Sequence, residues 1–212
     1  MTRNNTAEQM DQMLFAALWA ALEQHPFSTL SLYRLASDAG LDTNAVYIRY
    51  ADTASVLLAA LRAVDEAALA GAAADFADAP DASVHEKLLE GLISRFEAYS
   101  PYRTQMAAVH DAARRDAVLA ACLLARLGDT TDRLLSLCGD HVTGWRRTAR
   151  IKGVVAVLLR VRGIWQKDDT PGLSLTLSAL DKDLRRAAEW AVSFGVLSAA
   201  DLHPSDEQDK QP

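Results

Sequence analysis

Two cysteines, six prolines and ten glycines are all that 212 residues contain. Cys122 and Cys138 are too few for a disulfide framework, so both are read as small buried apolar side chains. No stretch reaches the roughly 18 uninterrupted apolar residues that a membrane span requires. Residues 1–12 are polar, with no apolar signal core to direct the chain out of the cell. β-branched runs are short, which argues against a sheet. What the chain has instead is alanine and leucine, good helix formers, within a composition that is 50% hydrophobic and 24% charged with a net charge of −6. The expectation is an all-α, cytoplasmic protein of one mid-sized or two small domains.

Helical periodicity divides the chain. Thr6 and Gln9 have capping-box spacing ahead of Met10, Met13, Leu14, Leu18 and Leu22, and Pro26 closes this first helix near His25. Ser31 starts a second helix of about two turns, with Leu32, Leu35 and Ala36 as its stripe and Gly40 as its stop. Asp42 or Thr43 caps a third, which carries Val46, Tyr47 and Tyr50. Asp52 caps a longer helix from about Thr53 to Leu69, and the Ala-, Asp- and Pro-rich stretch from Gly71 to Ser83 reads as a frayed end and a boundary. Ser83 caps a helix with Leu88, Leu92 and Phe96, and Pro101 opens a short one towards His110. Arg114 to Leu137 is helical, with Gly128 and Asp129 as a potential bend. Arg146 to Gln166 is apolar on most faces, and Thr170 and Pro171 introduce the last long helix. These divisions separate residues 1–70 from a larger helical body at 71–200 and a flexible tail at 201–212; the resemblance described next implies that the first part is a DNA-binding domain and the second a ligand-binding and dimerisation domain.

The short helix, the turn Ala39-Gly40-Leu41 and the second short helix form a helix-turn-helix pattern, whose second helix can enter the DNA major groove. The run from Ser31 to Tyr50, SLYRLASDAGLDTNAVYIRY, resembles the N-terminal domain of TetR-family repressors, with its Leu-Ala-x-x-Ala-Gly-Leu core and the aromatic signature that follows. That resemblance covers about residues 6–69. It implies a TetR-like fold, an N-terminal three-helix helix-turn-helix domain plus a C-terminal helical bundle. It further implies a homodimer that binds double-stranded operator DNA and a C-terminal pocket for a small apolar or amphipathic ligand. Trp165-Gln166-Lys167-Asp168-Asp169-Thr170-Pro171, with Leu177, Leu180 and Arg185-Arg186, is similar to an α-proteobacterial TetR branch related to the COQ9-like lipid-binding proteins of ubiquinone biosynthesis. That second resemblance implies an alternative, a lipid- or quinone-binding accessory protein whose helix-turn-helix no longer binds DNA.

By the family pattern, Arg34, Thr43, Asn44, Tyr47 and Arg49 meet phosphates or base edges, and Asn and Arg suit adenine and guanine edges. A solvated helix surface is the bland reading of the same residues. Residues 1–62 hold four arginines against six carboxylates, a net of −2, whereas a DNA-binding face is normally basic. The family commonly has lysine where this chain has Thr43 and Thr53, and glycine where it has Asn44. Candidate ligand-pocket residues are Phe96, Tyr99, Tyr102, Met106, His110 and Trp145, with core packing as the alternative for each. His110 with Asp111 and Arg114 could anchor an anionic ligand, and is equally read as surface. The dimer seam is expected on the last two long helices at Leu158, Val161, Trp165, Leu177, Leu180 and Leu184, against burial within one subunit.

The five histidines, 25, 85, 110, 141 and 203, show no metal-ligand spacing, and Glu86 and Glu90 read as a solvated face. No phosphate loop, serine elbow or Cys-His constellation occurs. Neither a cofactor, a metal nor an enzymatic activity is expected. Trp190, Val192, Phe194, Val196 and Leu197 make only a short apolar patch before an acidic tail, so no stable membrane association is expected.

Overall fold

The computed structural model describes residues 2–193, with side chains from 7 to 190. The expected tail at 201–212, and Val192, Phe194, Val196 and Leu197 as an apolar patch, lie outside the described side chains. Among the described residues every regular element is helical: α1 (Thr2–Gln24), α2 (Leu32–Asp38), α3 (Thr43–Arg49), α4 (Thr53–Asp78), α5 (Val84–Tyr99), α6 (Arg103–Ala113), α7 (Ala117–Leu137), α8 (Gly144–Trp165) and α9 (Ser174–Ser193), with 3-10 turns at Phe27–Thr29, Ser100–Tyr102 and Pro171–Leu173.

Local chemistry sets most of these boundaries. The Ser31 hydroxyl accepts from the Arg34 N–H at 3.2 Å, and the Asp42 carboxylate accepts from the Asn44 and Ala45 N–H groups, so α2 and α3 both begin on satisfied caps. Gly40, at φ +65°, supplies the left-handed turn between them. Ser83 and Glu86 form a reciprocal capping box on α5, and the two hydrogen bonds from Ser83 hold the Glu86 carboxyl below its ordinary range. Two features depart from the sequence reading. The fourth helix does not stop near Leu69 but runs through Gly71 to Asp78, because its Ala-rich flanks outweigh a single glycine. The seventh is unbroken at Gly128, and starts at Ala117 because Asp116 caps it, accepting from the Val118 and Leu119 N–H groups at 2.9 and 3.0 Å.

The chain forms two compact units, and the division falls within α4, near the end of α5 and within α7. One unit comprises the residues up to Ala67 together with Ala98–Arg126; the other comprises Ala68–Glu97 and the chain from Leu127 on. In the first, Leu14, Leu18, Leu35, Val46 and Leu57 are fully buried and Tyr50 nearly so. Tyr102 stacks on Trp19 at 4.5 Å between ring centroids, tying the turn that leads into α6 to α1. A buried cluster joins three helices of this unit: the Asp65 side chain, 2% exposed, takes an ion pair from Arg126 and a hydrogen bond from the Tyr99 hydroxyl at 3.0 Å.

In the second unit α8 and α9 pack as an antiparallel pair, fixed by the turn between them. Asp168, fully buried, accepts from the N–H and hydroxyl groups of both Thr170 and Thr176. Burial alone would raise this carboxyl, but the four donated hydrogen bonds outweigh it and bring its pKa down to about 2. Thr170 also accepts from the Ser174 N–H at 3.0 Å, so one short segment caps α9 and anchors itself. The cysteines part company: Cys138 is buried, with its thiol pushed up to about 12 by burial and by Asp140, while Cys122 is exposed, contrary to the reading of both as core. Cys122 shares the outward side of α7 with exposed Val118, Ala121 and Ala125, at three- and four-residue spacings.

Candidate nucleic-acid interface

On α3, Val46 and Tyr50 turn inward, one helical turn apart, which leaves Asn44, Tyr47 and Ile48 outward. Tyr47 is 52% exposed and Ile48 88%, and Tyr33 of α2 is 64% exposed. Thr43 is half-buried at the helix start. The exposed apolar groups Ile48 and Tyr33 escaped the sequence reading. Their signal was their place in the register, out of phase with Val46, Tyr50, Leu32 and Leu35.

The arginines are not free. The Arg49 guanidinium donates to both Asp11 oxygens of α1, Nε at 2.6 Å and Nη2 at 2.5 Å, a two-pronged pair that raises its already high pKa further. The Tyr50 hydroxyl donates to the same carboxylate at 2.8 Å; burial, followed by this bond to Asp11, pushes the phenol to about 12. Arg34 lies 2.9 Å by Nη2 from His25 Nε2 and 3.6 Å by Nε from Asp38. Since a guanidinium only donates, His25 Nε2 must accept here. Arg62 pairs with Glu66 at 3.0 Å. Thus Arg34, Arg49 and Arg62, the arginines whose side chains are described in this head, all have intramolecular partners, and no lysine precedes Lys87. The neutralising acids, Asp11 above all, were hidden in the sequence, because Asp11 and Arg49 lie 38 residues apart.

The expected pocket residues are dispersed over both units. Tyr99, Tyr102, Met106 and His110 belong to the first unit, where Tyr99 is buried on Asp65 and Tyr102 lies against Trp19. Phe96 and Trp145 belong to the second. Phe96 is core, its carbonyl accepting from the Trp165 indole at 3.1 Å, and Trp145 is 64% exposed beneath the Arg146 guanidinium. Of the expected seam residues, Leu158, Val161, Trp165, Leu180 and Leu184 are buried within the single chain, and only Leu177 is exposed. Outward large apolar residues of α8 and α9 include Leu159, Ile164, Leu175 and Leu177, with Trp145 and Trp190 nearer the helix ends. Among the described residues, no group of three or more His, Cys, Asp or Glu side chains could hold a metal ion, and no helix is long and apolar enough to cross a membrane.

No protein-family model matches the sequence, and no curated protein does either. Solved structures do match. A protein of Pseudomonas aeruginosa PAO1 described as a candidate transcriptional regulator superposes with a TM-score of 0.60 at 16% identity, over 89% of this chain and 94% of that one. A TetR-family transcriptional regulator from Streptomyces coelicolor superposes with a TM-score of 0.60 at 15% identity, over 92% and 89%. The chain therefore has an all-helical, TetR-like fold.

Proposed function

We propose that this protein is a transcriptional regulator of the TetR type, a homodimer that presents α3 to the major groove of operator DNA and responds to a small ligand. The observation that carries the reading is the uncovered outer face of α3, with Asn44, Tyr47 and Ile48 held outward by a capped helix on a buried base. Asn44 can read an adenine edge, and Ile48 and Tyr47 can meet thymine methyls. Arg49 is 41% exposed, so its guanidinium can leave Asp11 for a phosphate without first being dug out of the core. Two copies would pair through Leu159, Ile164, Leu175 and Leu177, whose exposure on α8 and α9 makes them better seam candidates than the buried residues beneath them. Dimerisation would double every phosphate contact and set the two reading helices one DNA turn apart.

Selecting bound fragments from the source genome with purified protein tests this directly. A recovered palindrome with half-sites about one helical turn apart is expected; a random fragment pool would refute it. The pairing of Arg34, Arg49 and Arg62 favours one other reading, a COQ9-like accessory protein that binds a lipid or quinone and has left DNA behind. Native mass spectrometry separates the two: a co-purifying isoprenoid with no selected DNA is that protein's signature.

A further inference from the structure

Within the first unit, the C-terminal end of α1 and the turn after it face α6 and the start of α7 across a groove of about 750 Å³. Its apolar wall is Leu22, Phe27, Ala108 and Leu119. Its charged groups are Glu23, Asp111 and Asp116 against a single guanidinium, Arg115. His25 adds no positive charge in this arrangement, because its Nε2 is committed as acceptor to Arg34. Two of the three carboxylates are pre-positioned: Glu23 accepts from the buried Gln105 amide at 2.8 Å, and Asp116 is fixed as the cap of α7. Asp111 has no hydrogen bond or ion pair among the described residues, and stands exposed on the α6 wall.

We infer that this groove binds an amphipathic organic cation, with the apolar body on Leu22, Phe27 and Leu119 and the positive centre between Glu23 and Asp111. A cleft whose walls carry one dominant sign of charge concentrates counter-ions of the opposite sign, and the half-buried Phe27 on its wall is an aromatic ring of the kind that attracts a cation. The occupant reaches the reading head through one bond. His25 lines the groove and holds Arg34 of α2, so a cation that displaces the imidazole releases or retracts that arginine. This last link rests on the DNA-reading proposal; the binding itself does not.

Thioflavin T, an aromatic monocation that fluoresces when immobilised, serves as the probe, and 8-anilinonaphthalene-1-sulfonate as an aromatic anion of similar size. Saturable thioflavin T binding to the full chain is expected, with affinity lowered about tenfold or more in Glu23→Gln/Asp111→Asn, since two nearby charges are lost, and about threefold in Phe27→Ala. Glu23→Gln keeps an oxygen for the Gln105 amide, and circular dichroism melts confirm that each variant is folded. Absence of saturable binding, equal affinity in the double variant, or displacement of the cation by the sulfonate would overturn the inference. The coupling is read separately, as a shift of the Arg34 side-chain Nε–H resonance on adding thioflavin T in the absence of DNA. A shift retained in His25→Phe would refute that link while leaving the binding intact, and neither result depends on whether DNA is bound.

Discussion

Replacing Arg126 with methionine isolates the energetics of the buried cluster. Asp65 keeps its place, 2% exposed, but loses its ion pair with Arg126, while the methionine fills most of the vacated volume with apolar atoms. Tyr99 cannot compensate, because its single hydroxyl proton is already divided between the Asp65 carboxylate and the Leu61 carbonyl, each at 3.0 Å. Stranding a buried charge costs about 3–5 kcal/mol, a large fraction of the 5–15 kcal/mol that stabilises a typical domain. Replacing both partners, Asp65→Leu with Arg126→Met, removes the stranded charge and should return stability to within about 1–2 kcal/mol of the parent. Urea unfolding followed by circular dichroism at pH 7.5 measures all three. A single-variant loss below about 1 kcal/mol, or a double variant no more stable than the single one, would show that Asp65 is not held as a buried anion by Arg126.

Three further outcomes follow from other parts of the molecule. Asp11→Asn keeps an acceptor for Tyr50 but frees Arg49 of its counter-charge, so affinity for a selected operator should rise about tenfold with a steeper salt dependence, while Arg49→Ala should lower it; fluorescence anisotropy across a salt series decides, and opposite signs for the two variants are required. Asp168→Asn replaces a carboxylate oxygen that accepts two of four converging hydrogen bonds with an amide N–H, and should cost about 2 kcal/mol in a denaturation experiment at neutral pH. Because the Asp168 pKa is depressed to about 2, its contribution is fully present above about pH 4 and fades only as pH falls through 2, so the variant's deficit should be flat from pH 5 to 8. Leu159→Asp together with Leu177→Asp should convert the proposed homodimer to a folded monomer by light scattering; an unchanged dimer mass would move the seam elsewhere.

What could be read in advance was what is local. Ser31, Asp42 and Asp52 announced their helices because a cap satisfies N–H groups two or three residues away. Gly40 announced the turn because its left-handed torsion suits glycine. Periodicity also picked out Leu158, Val161, Trp165, Leu177, Leu180 and Leu184 as apolar positions expected at a dimer seam, but not what lies across from them: all but Leu177 are buried within the single chain, and the outward residues emerge only once that packing is known. The Asp11–Arg49 and Asp65–Arg126 pairs join residues tens of positions apart and leave no pattern. The groove beside His25 is lined by small, charged and apolar residues from three segments, a mixture that no periodic signal marks, whereas the conspicuous aromatics Phe96 and Tyr99 went into the core.

The contrast between the two thiols makes the native chain a ready substrate for site-specific spectroscopy. At neutral pH Cys138 is almost wholly protonated and out of reach, so a maleimide reagent should react at Cys122 alone and leave α3 unmodified. A spin label there would report from the same unit as α3, and in a paired assembly the two labels would define a single distance. Following that distance as operator or a cationic ligand is added needs no engineered cysteine and no deletion of a native one.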